Sequence, residues 1–249
     1  MNEDKGICRL SLVPMRTEPF DHAALASELL FGEHYSICEN QGDWLKVELH
    51  FDQSSGWIRG DQHDAISPEY FEQINNSDYK VCTDVAADIL FKKKRVNVLI
   101  GSILPISTNE LFKIEEQVAF NGSSKSLNQK REFEFLKEIL SKYMYSPYLP
   151  GGKSPFGIDE GGFVQQVFKI CGYRLARTLD DQIKQGSSVN SLGDAQPGDV
   201  VFAGDSTPNG GFVKLSENEY IGVFDGVVQK IDSSYFSNNT SGIRRILQE

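Results

Sequence analysis

Histidine is missing from residues 64–249: His22, His34, His50 and His63 all fall in the first 63 residues. The rest of the sequence therefore has no imidazole base of its own. Cysteine is scarce, four residues in 249, and none forms a CxxC pair, which excludes zinc-ribbon and dithiol redox readings. A chain of this length does not need disulfides, so Cys8, Cys38, Cys82 and Cys171 read as free thiols, most of them small core residues. No run of about 18 apolar residues is present, so no membrane span is expected. Positive charge is in deficit: 25 Lys and Arg against 35 Asp and Glu leave a net charge of −10. That argues against a nucleic-acid partner, because a phosphate backbone needs Lys and Arg to replace its counterions. The one basic run, Lys92-Lys93-Lys94-Arg95, reads as a solvated turn or strand edge. Nothing in the sequence calls for a metal or a cofactor, and none is expected. The opening residues Met-Asn-Glu-Asp-Lys-Gly lack the apolar stretch of a secretory leader. The chain as given is expected in the cytoplasm, and in the periplasm or outside the cell if a leader precedes it.

Hydrophobic residues make up 39% and charged residues 24%, a composition that can bury one large core or two to three small ones. Residues 6–65 read as short strands with turn residues between them, the pattern of a small barrel. Trp44-Leu45-Lys46-Val47-Glu48-Leu49 alternates apolar and polar as a half-buried strand does. Residues 13–19, bounded by Pro14 and Pro19, read as an opening loop. Ser67-Pro68-Glu69 has the order of a helix start: hydroxyl cap, proline in the first turn, then an acid. Residues 66–128 read as a connecting helix and a second small β domain, with β-rich runs at 96–104 and 112–120. Residues 129–144 are helical by pattern, because Phe133, Leu136, Ile139, Leu140 and Tyr143 recur at 3- and 4-residue spacings. A Gly- and Pro-rich loop over 147–157 precedes a second helix at 160–171. From residue 200 onward apolar runs alternate with Gly and Asn turns, an antiparallel sheet. The whole is an α+β pattern, with helices packed on a sheet over 129–249.

The loop and second helix read Tyr148-Leu149-Pro150-Gly151-Gly152, then Asp159-Glu160-Gly161-Gly162-Phe163-Val164-Gln165. This resembles the motif of NlpC-type, papain-like cell-wall cysteine peptidases, usually Y-x-W-G-G followed by D-C-S-G-F-V-Q. Downstream, Pro197-Gly198-Asp199-Val200-Val201-Phe202 is similar to that family's P-G-D-L-V-F-F, and residues 211–216 and Tyr220-Ile221-Gly222 stand where it has H-V-G-I-Y-L and Y-I-H. The order of pieces in 6–65, with Gly-Asp-Trp-Leu-Lys-Val and Gly-Trp-Ile, resembles a bacterial SH3-like domain. The relatives implied are endopeptidases that cut between γ-D-glutamate and a diamino acid in cell-wall peptides, so a muropeptide is the implied ligand.

Such an enzyme needs a cysteine whose pKa is lowered at a helix start, a histidine that takes its proton, a third polar group that orients the histidine, and backbone N–H donors for the oxyanion. The resemblance places Glu160 at the nucleophile, Gly211 at the base and Gly222 at the orienting position. It also places Gly161 where the family has serine, Pro150 where it has the loop tryptophan, and Ser54 where relatives carry a tyrosine that helps to bind the peptide amine. Asp159 matches the family and is implied to take part in amine recognition. Asp159, Gly161, Ser54 and Trp57 are thus the candidate substrate-binding residues. Cys171 lies about 16 Å along the helix from Glu160, at the end where the dipole raises a thiol pKa, and reads as a packing residue. The reading is a catalytically degenerate relative, inactive as written and at most a binding protein; the alternative is an active cell-wall peptide hydrolase with an unrecognised catalytic group. The added glycines at 161, 162, 211 and 222 imply a wider cleft, and the carboxylate in place of a thiol a more negative one.

Overall fold

The computed structural model describes residues 5–104 and 119–247. The chain divides into two compact units, residues 1–129 and 130–249.

In the first unit, β1 (Lys5–Ile7), β2 (Leu12–Arg16), β3 (Leu25–Leu30), β4 (His34–Gln41), β5 (Trp44–Leu49), β6 (Ser55–Arg59) and β7 (Asp64–Ile66) form one antiparallel sheet in the order β3-β2-β6-β5-β4-β1-β7. Alternation works here as in a half-buried strand: Trp44, Leu45, Val47 and Leu49 are buried and Glu48 is exposed. Val13, Met15, Leu29, Tyr35, Val47 and Ile58 share the core. The expected opening loop at 13–19 is instead largely strand, because Val13 and Met15 turn inward from β2. Pro14 is tolerated because β2 meets β6 only at Arg16–Trp57, so the missing N–H falls where the strand has one neighbour.

Helix α1 (Pro68–Asn76) starts as the sequence suggests, with the Ser67 hydroxyl accepting a hydrogen bond from the Tyr70 amide at 3.1 Å. Beyond it, β8 (Lys80–Cys82), β9 (Ala86–Phe91), β10 (Lys94–Leu99), β11 (Ile103–Leu104), β12 (Ala119–Asn121) and β13 (Ser124–Ser126) make two three-stranded sheets, β10-β9-β12 and β11-β8-β13. These segments lie in the same compact unit as residues 6–65. Most of the expected run at 112–120 falls outside the described residues. Half of the basic run forms the β9–β10 turn, Lys92 and Lys93 at φ of 47° and 63°, and Lys94 and Arg95 open β10.

The second unit is built on a six-stranded antiparallel sheet. Its strands are β16 (Ser187–Ser188), β17 (Val200–Ala203), β18 (Gly210–Lys214), β19 (Glu219–Phe224), β20 (Val227–Asp232) and β21 (Gly242–Arg245), in the order β16-β21-β17-β18-β19-β20. Three helices accompany it: α2 (Phe133–Lys142), α3 (Glu160–Ile170) and the short α4 (Leu179–Gln182). The small hairpin of β14 (Lys153–Ser154) and β15 (Gly157–Ile158) leads into α3. Helix α2 begins four residues later than its apolar spacing suggests, because the Arg131 amide donates to the Cys171 carbonyl instead of joining the helix. Helix α3 is buried from Gly161 to Ile170 and packs on β18 and β19. The opposite face of the sheet carries a core of Val201, Ala203, Phe212, Tyr220, Phe236 and Ile243.

The Pro197-Gly198-Asp199 motif has a structural role. Gly198 adopts φ +92°. Asp199 is buried and accepts from the Gln196 amide at 2.8 Å and from Arg245 at 2.9 and 2.7 Å, tying β17 to β21.

Candidate functional site

The site is organised by the start of α3. Gly151 at φ +81° and Gly152, whose missing side chain lets the Gly157 carbonyl close in, fold the preceding loop back onto the helix. Asp159 caps the helix, its Oδ1 accepting from the Gly162 amide at 2.6 Å. The same carboxylate accepts from the Gly151 amide at 2.9 Å and from both Arg177 Nη atoms at 2.8 Å each. Arg177 also donates to the Gly152 carbonyl at 3.3 Å. Asp159 is thus engaged by four internal donors, about as many as a carboxylate can take. The amine-recognition role that the family resemblance gives it would have to break this set.

Glu160 follows as the first helical residue and is half-buried. Burial pushes its carboxyl above the usual carboxylate range and the charge of Asp159 adds to the rise; its own backbone N–H and Arg177 oppose it. A carboxylate at a helix start is favoured by the dipole, which explains why it is tolerated there. Gly161 lies beneath the following segment: a β-carbon on it would sit 2.6 Å from the Arg177 carbonyl oxygen, and its own carbonyl accepts from Gln182 Nε2 at 2.9 Å. A serine side chain has no room at that position.

Gly211 and Gly222 lie on β18 and β19 but point to opposite faces of the sheet. The pairing sets Phe212 across from Gly222, so Gly222 shares the face of Phe212 and Gly211 the face of α3. A β-carbon on Gly211 would meet Val164 Cγ2 at 2.8 Å and Leu179 Cδ2 at 2.9 Å. One on Gly222 would meet Phe212 Cδ1 at 2.5 Å and the Gly211 carbonyl oxygen at 2.6 Å, and one on Gly210 would meet Phe212 Cε2 at 2.7 Å. The expected widening at these two strand positions does not occur: Val164, Leu179 and the ring of Phe212 fill the space that side chains would take.

The open volume lies alongside. A cleft of about 330 Å³ is lined by Tyr148, Glu160, Phe212, Phe224, Asp225 and Tyr235, among others. The Tyr148 amide donates to the Gly226 carbonyl at 2.8 Å, which fixes the loop against the β19–β20 turn where Asp225 sits at φ 47°. Burial raises the Tyr148 phenol, and the charges of Glu160 and Asp159 raise it further. The cleft is acidic, as expected. Tyr148 was noted only as the first residue of the loop motif, and Phe224 and Tyr235 were not singled out from the sequence, because aromatic residues on a sheet and its connections read equally well as core. The role of Arg177 was equally hidden, since its partner is 18 residues away in the chain.

Cys171 is buried at the far end of α3. Pro150 is exposed on the loop. Ser54 and Trp57 belong to the first unit: the Ser54 hydroxyl donates to Asp52 at 2.6 Å, and Trp57 is buried on β6. Among the described residues no group of three or more His, Cys, Asp or Glu side chains is placed to hold a metal.

Residues 145–245 match the NlpC/P60 family, and residues 15–62 match the bacterial dipeptidyl-peptidase SH3 domain. The chain is 27% identical over 195 residues to the gamma-D-glutamyl-L-lysine dipeptidyl-peptidase of Bacillus subtilis, covering 72% of this chain and 64% of that protein. It is 25% identical over 208 residues to dipeptidyl-peptidase 6 of Lysinibacillus sphaericus, covering 74% and 76%. The crystal structure of an NlpC/P60 family protein from Bacillus cereus superposes with a TM-score of 0.83 at 19% identity, covering 98% of this chain and 100% of that one. That likeness establishes the papain-like fold with SH3-like strands before it. The chain therefore combines an SH3 domain of the bacterial dipeptidyl-peptidase type with an NlpC/P60 domain, and is homologous to the gamma-D-glutamyl-L-lysine dipeptidyl-peptidases.

Proposed function

We propose that this chain is a catalytically silent member of the NlpC/P60 cell-wall peptidase group, and at most a binding protein for peptides of the cell-wall type. One observation carries the reading: the helix start that would need to present a thiolate presents the half-buried carboxylate of Glu160, in a unit that contains no histidine. Thiol peptidase chemistry needs a nucleophile, a base and an oxyanion site together. A negative side chain at the helix N-terminus repels the developing oxyanion, and the strand position assigned to the base is closed by Val164 and Leu179.

The test is incubation with L-alanyl-γ-D-glutamyl-L-lysine, with release of the alanyl-glutamate dipeptide followed by mass spectrometry. No release above a heat-treated control is expected. Turnover that a thiol reagent abolishes would sink the reading.

A second reading is favoured by one observation, that Glu160 and Asp225 share a cleft and burial raises the Glu160 carboxyl. A raised carboxyl is what a general acid needs. Glu160→Gln decides it: hydrolysis in the parent chain that this substitution removes would establish carboxylate catalysis, and no hydrolysis in the parent ends it.

A further inference from the structure

Helix α1 docks on the first sheet over a pair of stacked imidazoles. His34 opens β4 and His50 follows β5, with ring centroids 5.0 Å apart and planes 23° apart. Phe71 of α1 stands across both rings at near right angles, 5.1 Å from His34 and 5.8 Å from His50. One helical turn on, Asn75 Oδ1 lies 2.6 Å from His34 Nε2. An amide oxygen only accepts, so the neutral ring carries its proton on Nε2. Nδ1, where a second proton would go, is buried without a hydrogen-bond partner.

The charges around the ring do not make good that position. Burial opposes a second proton most and His50 adds to it; the Asn75 bond, Glu33 and the Gly32 backbone favour the proton without prevailing, and the imidazole is lowered to about 4. Glu33 already accepts from the Leu30 amide at 2.9 Å, and Asp52, two residues after His50, accepts from the Ser54 amide and hydroxyl. From β1, Lys5 brings a further positive charge, its ammonium 4.7 Å from the centre of the Phe71 ring. Helix α1 meets His34 with the neutral Phe71 and Asn75, and its acids Glu69 and Glu72 are exposed. The helix itself is held lightly: it has nine residues, too few to persist undocked, and buries only Phe71 and Ile74.

We propose that α1 is an acid-released element: when His34 takes a second proton the helix leaves the stacked imidazoles, while the sheet beneath keeps its strands. Lifting α1 gives the ring to water and unpacks two apolar side chains, a smaller opening than unfolding the unit. Above pH 6.5 His34 is neutral whether α1 is docked or released; between 6.5 and 4 only the released form takes the proton; below 4 both do. The released population should therefore rise about 70-fold between pH 7.5 and pH 4.5. The device belongs to the first unit alone and stands whether or not the second unit is catalytically silent.

The experiment is amide hydrogen exchange of the full chain, followed by NMR at pH 7.5, 6.0 and 4.5 with the intrinsic pH dependence of exchange divided out. The protection of Phe71 to Asn75 should lie below that of the β4 and β5 amides at each pH, fall about 70-fold across the range, and hardly change with low urea, the mark of a local opening. His34→Gln, which keeps a donor for Asn75 and does not titrate, should remove the fall. The parent chain supplies a second reading that needs no variant: the His34 Cε1–H resonance should show no titration near pH 6.5 while α1 is protected. Protection and urea dependence in α1 equal to those of β4 and β5 would mean that the helix opens only when the whole unit unfolds, and would overturn the proposal. So would α1 protection that does not change with pH, a fall that persists in His34→Gln, or a His34 resonance titrating near 6.5 beneath a protected helix.

Discussion

Replacing Asp159 by alanine tests the claim that this residue holds the fold of the site rather than facing a ligand. The structure allows the cost to be built up. Loss of the N-cap bond to Gly162 should cost about 1 kcal/mol. Loss of the bidentate pair leaves Arg177 buried without its carboxylate; breaking a buried pair costs about 3–5 kcal/mol. The side chains here are 8% and 17% exposed, and Arg177 keeps the Gly152 carbonyl, so the lower end applies. The sum is about 3–4 kcal/mol, or a fall in Tm of roughly 12 °C for a unit of this size. Asp159→Asn keeps an acceptor for the cap but loses the charge, and should cost about 2 kcal/mol. Arg177→Met should also cost about 2 kcal/mol, because Asp159 retains two backbone donors at a helix N-terminus, where its charge is favoured. The assay can separate the units. Trp44 and Trp57, the only tryptophans, are both in the first unit, so their fluorescence reports that unit, while hydrogen exchange of the α3 amides reports the second. The α3 amides should lose protection while the tryptophan transition stays in place. A change under about 0.5 kcal/mol at α3 on Asp159→Ala would refute the structural role, since that is the size of an ordinary surface substitution.

Three further outcomes are expected. The first unit should lose stability as the pH falls from about 6.5 to about 4: His34 is buried against His50 and Phe71 and its pKa is lowered to about 4, so in that window the unfolded chain takes up a proton that the folded one refuses. The loss should approach about 3 kcal/mol in urea titrations followed by tryptophan fluorescence, and His34→Gln should flatten it; an unchanged slope in the variant contradicts the assignment. Gly222→Ala should destabilise the second unit by about 1–3 kcal/mol through overpacking, and Phe212→Leu in the same chain should recover part of that; additive losses in the double variant would mean that the ring is not what closes the position. A disulfide thiol reagent applied to the native chain should modify Cys38 quickly, with Cys8, Cys82 and Cys171 reacting only on unfolding; fast modification of Cys171 would contradict its burial in α3.

The sequence carried the parts of the fold that depend on local pattern. Alternation in residues 44–49, the Ser67 cap and the loop-to-helix motif around Asp159 each name a backbone conformation from residues close together in the chain. What it could not carry depends on distant partners. Pro14 reads as a loop breaker until the sheet order shows that β2 is largely unpaired along the edge facing β6. Asp159 reads as ligand-facing until Arg177 and Gly151 are seen to saturate it. The glycines at 211 and 222 read as lost volume, because a glycine in a sequence gives no sign of which neighbour has moved in.

That last point bears on whether the strand positions could hold a side chain at all. If the glycines left free volume, the strand positions would be open and a side chain could be placed there without strain. Instead, Phe212 lies across both Gly210 and Gly222, so the three residues form one packing set, in which the ring requires both glycines. Gly161 is likewise closed by the Arg177 carbonyl, which the Asp159 pair holds in place. Interiors packed this densely resist adding even one side chain. The strand positions are therefore filled rather than open, and the free volume of the second unit near α3 lies in the cleft beside Tyr148, Glu160 and Asp225.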